Sequence, residues 1–266
     1  MKKRIICDTM IWYNIGSNQY NRKIIDRLNL IATANTADEL RMSGNILDKI
    51  GHVKLACQSF INDSESIIKY SPAEYMLILA GVTDHGFTGF DNILSKINRV
   101  IELPISELAM NSRINRDKIE KELMHYNSDL DKTVEFINSH KEYIRKHIKT
   151  SNGGVRKYRA TSNDTGIRNL LIQLTELELK SLNKTLSIDW AKFPWGEIEF
   201  FLHIWYLHFL EIEVSHQKFK RNDWKDIMNM IYVRPNDLYW TEEKKWKRYI
   251  MCSPFKDQLF SYSNSI

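Results

Sequence analysis

Glycine and proline are scarce in this chain, with ten and five among 266 residues. So few turn-forming residues exclude a loop-rich or repeat-rich β architecture and lean the chain toward helices. No run approaches the roughly eighteen apolar residues that a membrane span requires. The opening MKKRIICDTMIW has the positive start of a secretory signal. Asp8 then interrupts the apolar run and no small-residue cleavage site follows. Cysteine occurs only at positions 7, 57 and 252. An odd, widely spaced set without a CxxC pair fits neither a disulfide framework nor a cysteine metal site, and a cytoplasmic protein is expected.

What is present is ordinary for a folded protein: 43% hydrophobic and 27% charged residues, in a length that allows one large domain or two small ones. The formal net charge of +5 favours a polyanionic partner only if the cations lie beside a chemical site. Arg4 to Cys7 reads as a buried strand ending at Asp8. Helices are expected over 20–31 and 35–50, the second opened by Asn35 or Thr36, and again over 52–80, where Ser71 and Pro72 mark a helix start. Residues 81–90 read as a loop and Val100 to Ile105 as a strand or an extended linker. Charged amphipathic helices are expected at 114–126 and 129–149, and a flexible tether at 151–164. Ile167, Leu170, Leu171, Leu174 and Leu177 form a helical stripe. Residues 197–215 are apolar on nearly all sides and read as a central buried helix. A further helix stops at Pro235, before a strand-like Asp237 to Thr241.

Acids recur at element boundaries. Asp8 ends the first strand, Glu39 sits in an early helix, Asp223 and Asp226 share a face of a late helix at i, i+3, and Glu243 follows the last strand. In an open α/β sheet such positions line the ligand crevice. Converging carboxylates repel one another, and a hard divalent cation, Mg²⁺ or Mn²⁺, is the usual remedy.

IICDTMIWYNI, ATANTADELRMSG and NDWKDIMNMIYVRPNDLYWTEEKKW together resemble segments of the PIN-domain nucleases. The resemblance covers roughly 1–45 and 217–250. It implies an α/β fold with a small parallel sheet flanked by helices. It implies a metal site of Asp8, Glu39, one or both of Asp223 and Asp226, and Glu243, oriented by Thr241. It also implies hydrolysis of single-stranded RNA, as in toxin-like or phage-defence ribonucleases. A homodimer and an inhibitory or regulatory protein partner accompany that expectation. Met10 stands where Asn is usual, and Glu243 where Asp is commoner. The long stretch between Glu39 and Asp223 implies a mostly helical insertion or lid at 106–200, within a core formed by 1–105 and 201–266.

Each candidate has a plainer reading. Asp8 could simply cap the next helix, Glu39 could be a solvated surface acid with Asp38 as its substitute, and Asp223 and Asp226 could answer the helix dipole. Asp237 reads as a turn residue, and the Thr-x-acid spacing prefers Glu243 over Glu242. His203, His208 and His216 read as packing residues, and the tryptophans of 190–246 as core. Trp224, Lys244, Lys245 and Trp246 also match the interleaving of aromatics and cations that grips single strands. Arg156, Lys157 and Arg159 read as a solvated loop or a substrate clamp. Two alternatives to an RNA nuclease stay open: a non-catalytic nucleic-acid- or partner-binding protein, and a structure-specific DNA nuclease.

Overall fold

Ile5–Cys7 forms a fully buried strand, β1, and the chain returns to pair with it from both sides. The computed structural model describes residues 2–82, 90–103, 113–140, 165–181 and 188–265. After helices α1 (Thr9–Gly16) and α2 (Arg22–Ile25) comes β2 (Leu30–Thr33), parallel to β1. Helices α3 (Ala34–Arg41), α4 (Asn45–Asp48) and α5 (Ile50–Asn62) lead to β3 (Ser66–Ile68). Helices α6 (Pro72–Leu79), α7 (Phe90–Glu102), α8 (Arg113–Ser139), α9 (Thr165–Ser181), α10 (Glu199–Val214) and α11 (Arg221–Asn229) follow. Strand β4 (Leu238–Trp240) and α12 (Lys244–Met251) complete the main framework. The four strands form one parallel sheet in the order β3-β2-β1-β4.

The central strands β1 and β2 are buried on both sides, as parallel strands covered by helices must be, while the edge strand β3 is only partly covered. Side chains alternate between two cores. Ile6, Ile31 and Tyr239 face one, while Ile5, Cys7, Leu30, Ala32 and Trp240 face the other. The second core holds the residues of α1 to α5 and α7. The first holds those of α6 and α8 to α12, including Ile137, Ile167, Leu170 and Leu171 from within 106–200. Helix α10 runs through it with ten buried residues, as its apolar surface predicts. Trp205, Trp240 and Trp246 are fully buried, and the capping box of Ser71 and Glu74 is formed.

Several local expectations are corrected. The helix expected over 20–31 stops at Ile25, because Leu30 and Ile31 pair with Ile5 and Ile6. Backbone pairing with a central strand overrides an apolar spacing that also fits a helix. The helix expected over 35–50 is broken into pieces, and its first piece is capped by Thr33, whose side chain accepts from the Thr36 N–H. Strand β3 interrupts the helices expected over 52–80. Val100 to Glu102 belongs to α7 rather than to a strand or linker. The two helices expected from 114 form one helix as far as Ser139. Most of the expected loop at 81–90 and the whole tether at 151–164 lie outside the described residues. Among the described residues, no helix is long and apolar enough to cross a membrane.

Beyond α12 the chain comes back beside β4. Leu259 bridges to Tyr239 in parallel, the Phe260 N–H donates to the Tyr239 carbonyl at 2.9 Å, and the Gln258 amide donates to the carbonyls of Arg234 and Asp237. In the second core, α1 packs closely on α5 through Gly16. A Cβ at Gly16 would stand 2.6 Å from the backbone C and O of Leu55. Gly16→Ala is therefore expected to force the two helices apart and cost about 1–3 kcal/mol, read as a lower urea midpoint. An unchanged midpoint would contradict this close approach.

Candidate active site

The strand order places the switch in winding direction between β1 and β4, where the crevice of an open parallel sheet forms at the strand ends. Asp8 follows β1 directly. Although it occupies the N-cap position of α1, its side chain makes no capping hydrogen bond. It instead accepts from the Thr241 hydroxyl, Oγ1 to Oδ2 at 2.6 Å, just past β4. Thr241 is fully buried and also accepts from the Glu243 N–H at 3.1 Å. Glu243 likewise sits at the N-cap of α12 without capping it. Neither acid makes a regular capping bond, although the Thr9 and Met10 N–H groups act on the Asp8 carboxylate, and Thr241 links the two positions.

Helix α3 brings Glu39 to the same place. The Thr9 hydroxyl donates to its Oε2 and the Asn35 amide to its Oε1 at 3.2 Å. The same Asn35 amide reaches the Lys225 carbonyl at 3.0 Å and so ties α3 to α11. Asp226, on α11, accepts from the Trp246 indole N–H at 3.0 Å. One oxygen of Asp8 and one of Asp226 are thereby held. Their second oxygens take no side-chain hydrogen bond among the described residues.

These acids act on one another. Burial pushes the Asp8 carboxyl up to about 6; the Thr241 hydrogen bond opposes this and the Glu243 charge adds to it. Burial pushes Glu39 up to about 7, against the Thr9 hydrogen bond and with the Asp8 charge. Asp226 is raised by burial and then by the charges of Asp8, Glu39 and Glu243. Lys225 stands near Glu39 and Asp226 but makes no ion pair with a described residue; its ammonium lies 5.1 Å over the ring of Tyr126 on α8. The structure thus gathers Asp8, Glu39, Asp226 and Glu243 at one end of the sheet.

The other candidates are engaged elsewhere. Asp223 closes the start of α11 by accepting the Lys220 N–H at 2.9 Å. It is paired with Lys245 and lies 3.4 Å from His208 Nε2. Burial would raise its carboxyl, but the neighbouring His208 and Lys245 outweigh it and hold the group well below the usual range. Asp226 is therefore the member of the pair that joins the cluster. Glu242 turns to Lys247 and to the Trp240 indole N–H, and Asp38 to Arg41. Asp237 holds the turn after Pro235 by accepting the Arg234 N–H at 3.1 Å. His203 and His208 are buried packing residues, as read from their helix.

The expected stacking platform is corrected as well. Trp246 is fully buried and has His208 and Tyr249 edge-on beside it, so no base can lie on it. Trp224 is half-buried with its ring against Trp205 and Phe219. Lys245 is occupied by Asp223, and Lys244 is exposed. Arg156, Lys157 and Arg159 lie outside the described residues.

Among known proteins, no family model, curated protein or solved structure matches the chain.

Sequence reading missed the layer beneath the acids. Asn229, 1% exposed, donates to the Cys7 carbonyl at 3.0 Å. It accepts from the Thr33 hydroxyl at 2.6 Å and the Thr36 hydroxyl at 3.1 Å. A lone amide within the apolar run IMNMIYV was the available signal, since a buried Asn must find partners. Thr9, next to Asp8, and Lys225, next to Asp226, were missed for want of a three-dimensional frame.

The donor chemistry of the cluster fits a hard cation: only carboxylates, with those of Asp8, Glu39 and Asp226 desolvated and raised. Among the described residues, however, no three His, Cys, Asp or Glu side chains stand in a ready-made ligating group.

Two outcomes follow. Asp8 and Glu39 hold protons in the folded state that they release when unfolded, so their contribution to stability is complete below about pH 4 and is lost as pH rises toward 7. In EDTA the melting temperature should fall between pH 5 and pH 8. Asp8→Asn, which keeps the shape and removes the charge, should melt higher than the parent at pH 8, by about 2–4 °C for each kcal/mol regained. A melting temperature that rises over this interval would show that the acids ionise freely. Asn229→Ala removes one partner each from the Cys7 carbonyl and two threonine hydroxyls, which keep only their bonds to one another, and should cost about 1–3 kcal/mol, seen in chemical unfolding.

Proposed function

We propose that the chain is a metal-dependent nuclease of PIN-like type that hydrolyses phosphodiester bonds in single-stranded RNA. The observation that carries the reading is the set of four mutually repelling acids at the switch point of a parallel sheet, two of them at helix starts they do not cap. An arrangement that works against folding stability is retained where a ligand needs it.

In this reading Asp8, Glu39, Asp226 and Glu243 would hold Mg²⁺ or Mn²⁺. Such a cation supplies an activated water and neutralises the charge that develops at phosphorus. The hydroxyls of Thr241 and Thr9 and the Trp246 indole fix the orientation of three of the acids. Lys225 is placed to meet a substrate phosphate, since it lies beside the acids without an ion pair among the described residues. Asp223 keeps Lys245 and the start of α11 in place and so supports Asp226 from behind. A cytoplasmic setting, a homodimer and a controlling protein partner belong to the same reading; free thiols at Cys7, Cys57 and Cys252 support the first.

The non-catalytic alternative is favoured by one observation, that the acids are not preassembled as ligands among the described residues. The decisive assay is cleavage of end-labelled single-stranded RNA in Mn²⁺, Mg²⁺ or EDTA by the parent and by Asp8→Asn. Cutting should require the cation and fall at least about 100-fold in the variant. Equal cutting by Asp8→Asn would remove the nuclease proposal. RNA binding with no product in either cation would favour the binding protein, and preference for branched DNA would favour the DNA nuclease.

A further inference from the structure

A second concave feature lies near the acids. A cleft of about 200 Å³ opens between α3, α7 and α8. Among the described residues its walls carry Arg41, Lys96, Arg99 and Lys118 against one acid, Glu122. Helix α7 explains how two of these come to point the same way. Ile93, Ile97 and Val100 are buried on its inner face, and Lys96 and Arg99, three residues apart, share a neighbouring face.

Among the described residues, most of the cations of this cleft have no acidic partner. Lys96, Arg99 and Lys118 make no ion pair with a described residue. Arg41 gives one nitrogen to Asp38 at 3.1 Å, but its Nε is buried and meets no acceptor among the described residues. This differs from the basic stretch after β4, where Lys245 and Lys247 are bound by Asp223 and Glu242 and Arg248 by Glu211. Like charges gathered in a concavity raise the local potential and draw in a polyanion.

The cleft also leads to the acids. Arg41 and Glu39 are two residues apart on α3. Helix α8 continues from Lys118 and Glu122 to Tyr126, whose surroundings include Glu39, Asp38 and Arg41 and whose ring carries the Lys225 ammonium. From Lys118 to Tyr126 the helix rises about 12 Å, enough for a strand to pass from the cleft to the cluster.

We propose that the cleft between α3, α7 and α8 binds the phosphodiester backbone of the single-stranded RNA that reaches the acids; this rests on the nuclease reading. Phosphates pair with Lys96, Arg99, Lys118 and the free Nε of Arg41, and the strand continues past Tyr126 and Lys225. The contacts are electrostatic and indifferent to sequence, as for other single-strand tracks. Helix α8 thereby becomes part of the substrate path.

The test is fluorescence anisotropy with a labelled twelve-residue oligouridylate, in EDTA so that nothing is cut, over a series of salt concentrations. The parent is compared with the triple variant Lys96→Gln, Arg99→Gln, Lys118→Gln. A control triple, Lys23→Gln, Lys192→Gln, Lys256→Gln, removes the same charge from exposed positions elsewhere. The cleft variant should bind about 30-fold more weakly and lose about two from the slope of log affinity against log salt. The control should stay near the parent. Equal losses in both triples, no loss in the cleft triple, or no binding by the parent would overturn the proposal. Should the triple fail to fold, Arg99→Gln and Lys118→Gln, both at exposed positions, are each expected to remove about 0.7 from the slope, and an unchanged slope in both would overturn it. Cleavage in Mn²⁺ separates the two readings. Binding lost in the cleft triple without any cleavage by the parent keeps the cleft and removes the nuclease; Asp8-dependent cutting with an unchanged KM in the cleft triple does the reverse.

Discussion

The buried amide of Asn229 is the contact on which the arrangement of the acids depends. Through two atoms it reaches the end of β1 at the Cys7 carbonyl, the end of β2 at Thr33 and the start of α3 at Thr36. Asp8 is the next residue after Cys7, Glu39 lies one turn beyond Thr36, and Asp226 precedes Asn229 by three residues on α11. Three acids from distant parts of the chain therefore hang from one side chain that cannot be left unsatisfied in a dry interior. Buried polar networks of this kind specify one arrangement where apolar packing would tolerate several.

Charge is distributed with the same selectivity. Asp223, Asp237, Asp38 and Glu242 each have a cationic partner, and the first two also serve a helix start and a turn. Asp8, Glu39 and Asp226 have hydrogen-bond donors but no cation within ion-pair distance among the described residues. The protein thus keeps acids of two kinds within a short distance, one neutralised from within and the other left for something from outside. The cleft beside α7 is the complementary case, where Lys96, Arg99 and Lys118 have no acidic partner among the described residues.

Much of this was legible in the sequence, and the failures have physical causes. The β1 strand, the capping box at Ser71, the stripe of α9 and the all-round apolar α10 were readable because each carries its own local pattern. Asp8 and Glu243 were readable as acids just after strand-like runs, whereas Glu39, inside a helix, stood out only through the likeness of its segment to a known family. Strands β2 and β3 were not: Leu30–Thr33 and Ser66–Ile68 are too short for a period of two to show, and they owe their conformation to pairing with β1 and β2 respectively. Proximity in the chain could not decide between Asp223 and Asp226. They share a helix face by spacing, yet Lys245 and His208 meet only the first. Trp246 misled for a related reason, since its basic neighbours suggest a surface while its ring lies in the core.

The return of the chain beside β4 has a consequence for the behaviour of the molecule in concentrated solution. A parallel sheet with a two-sided core ends in outer strands whose unpaired amides and carbonyls invite another chain to add on. At β3 that invitation is limited by a length of three residues. At β4 it is answered by Leu259 and Phe260, which occupy the outer side of Tyr239, and by Gln258, which ties them to the turn below. This segment is therefore a guard against self-association as well as a piece of the fold. Its loss would turn β4 into a template for strand addition while leaving the acids where they are.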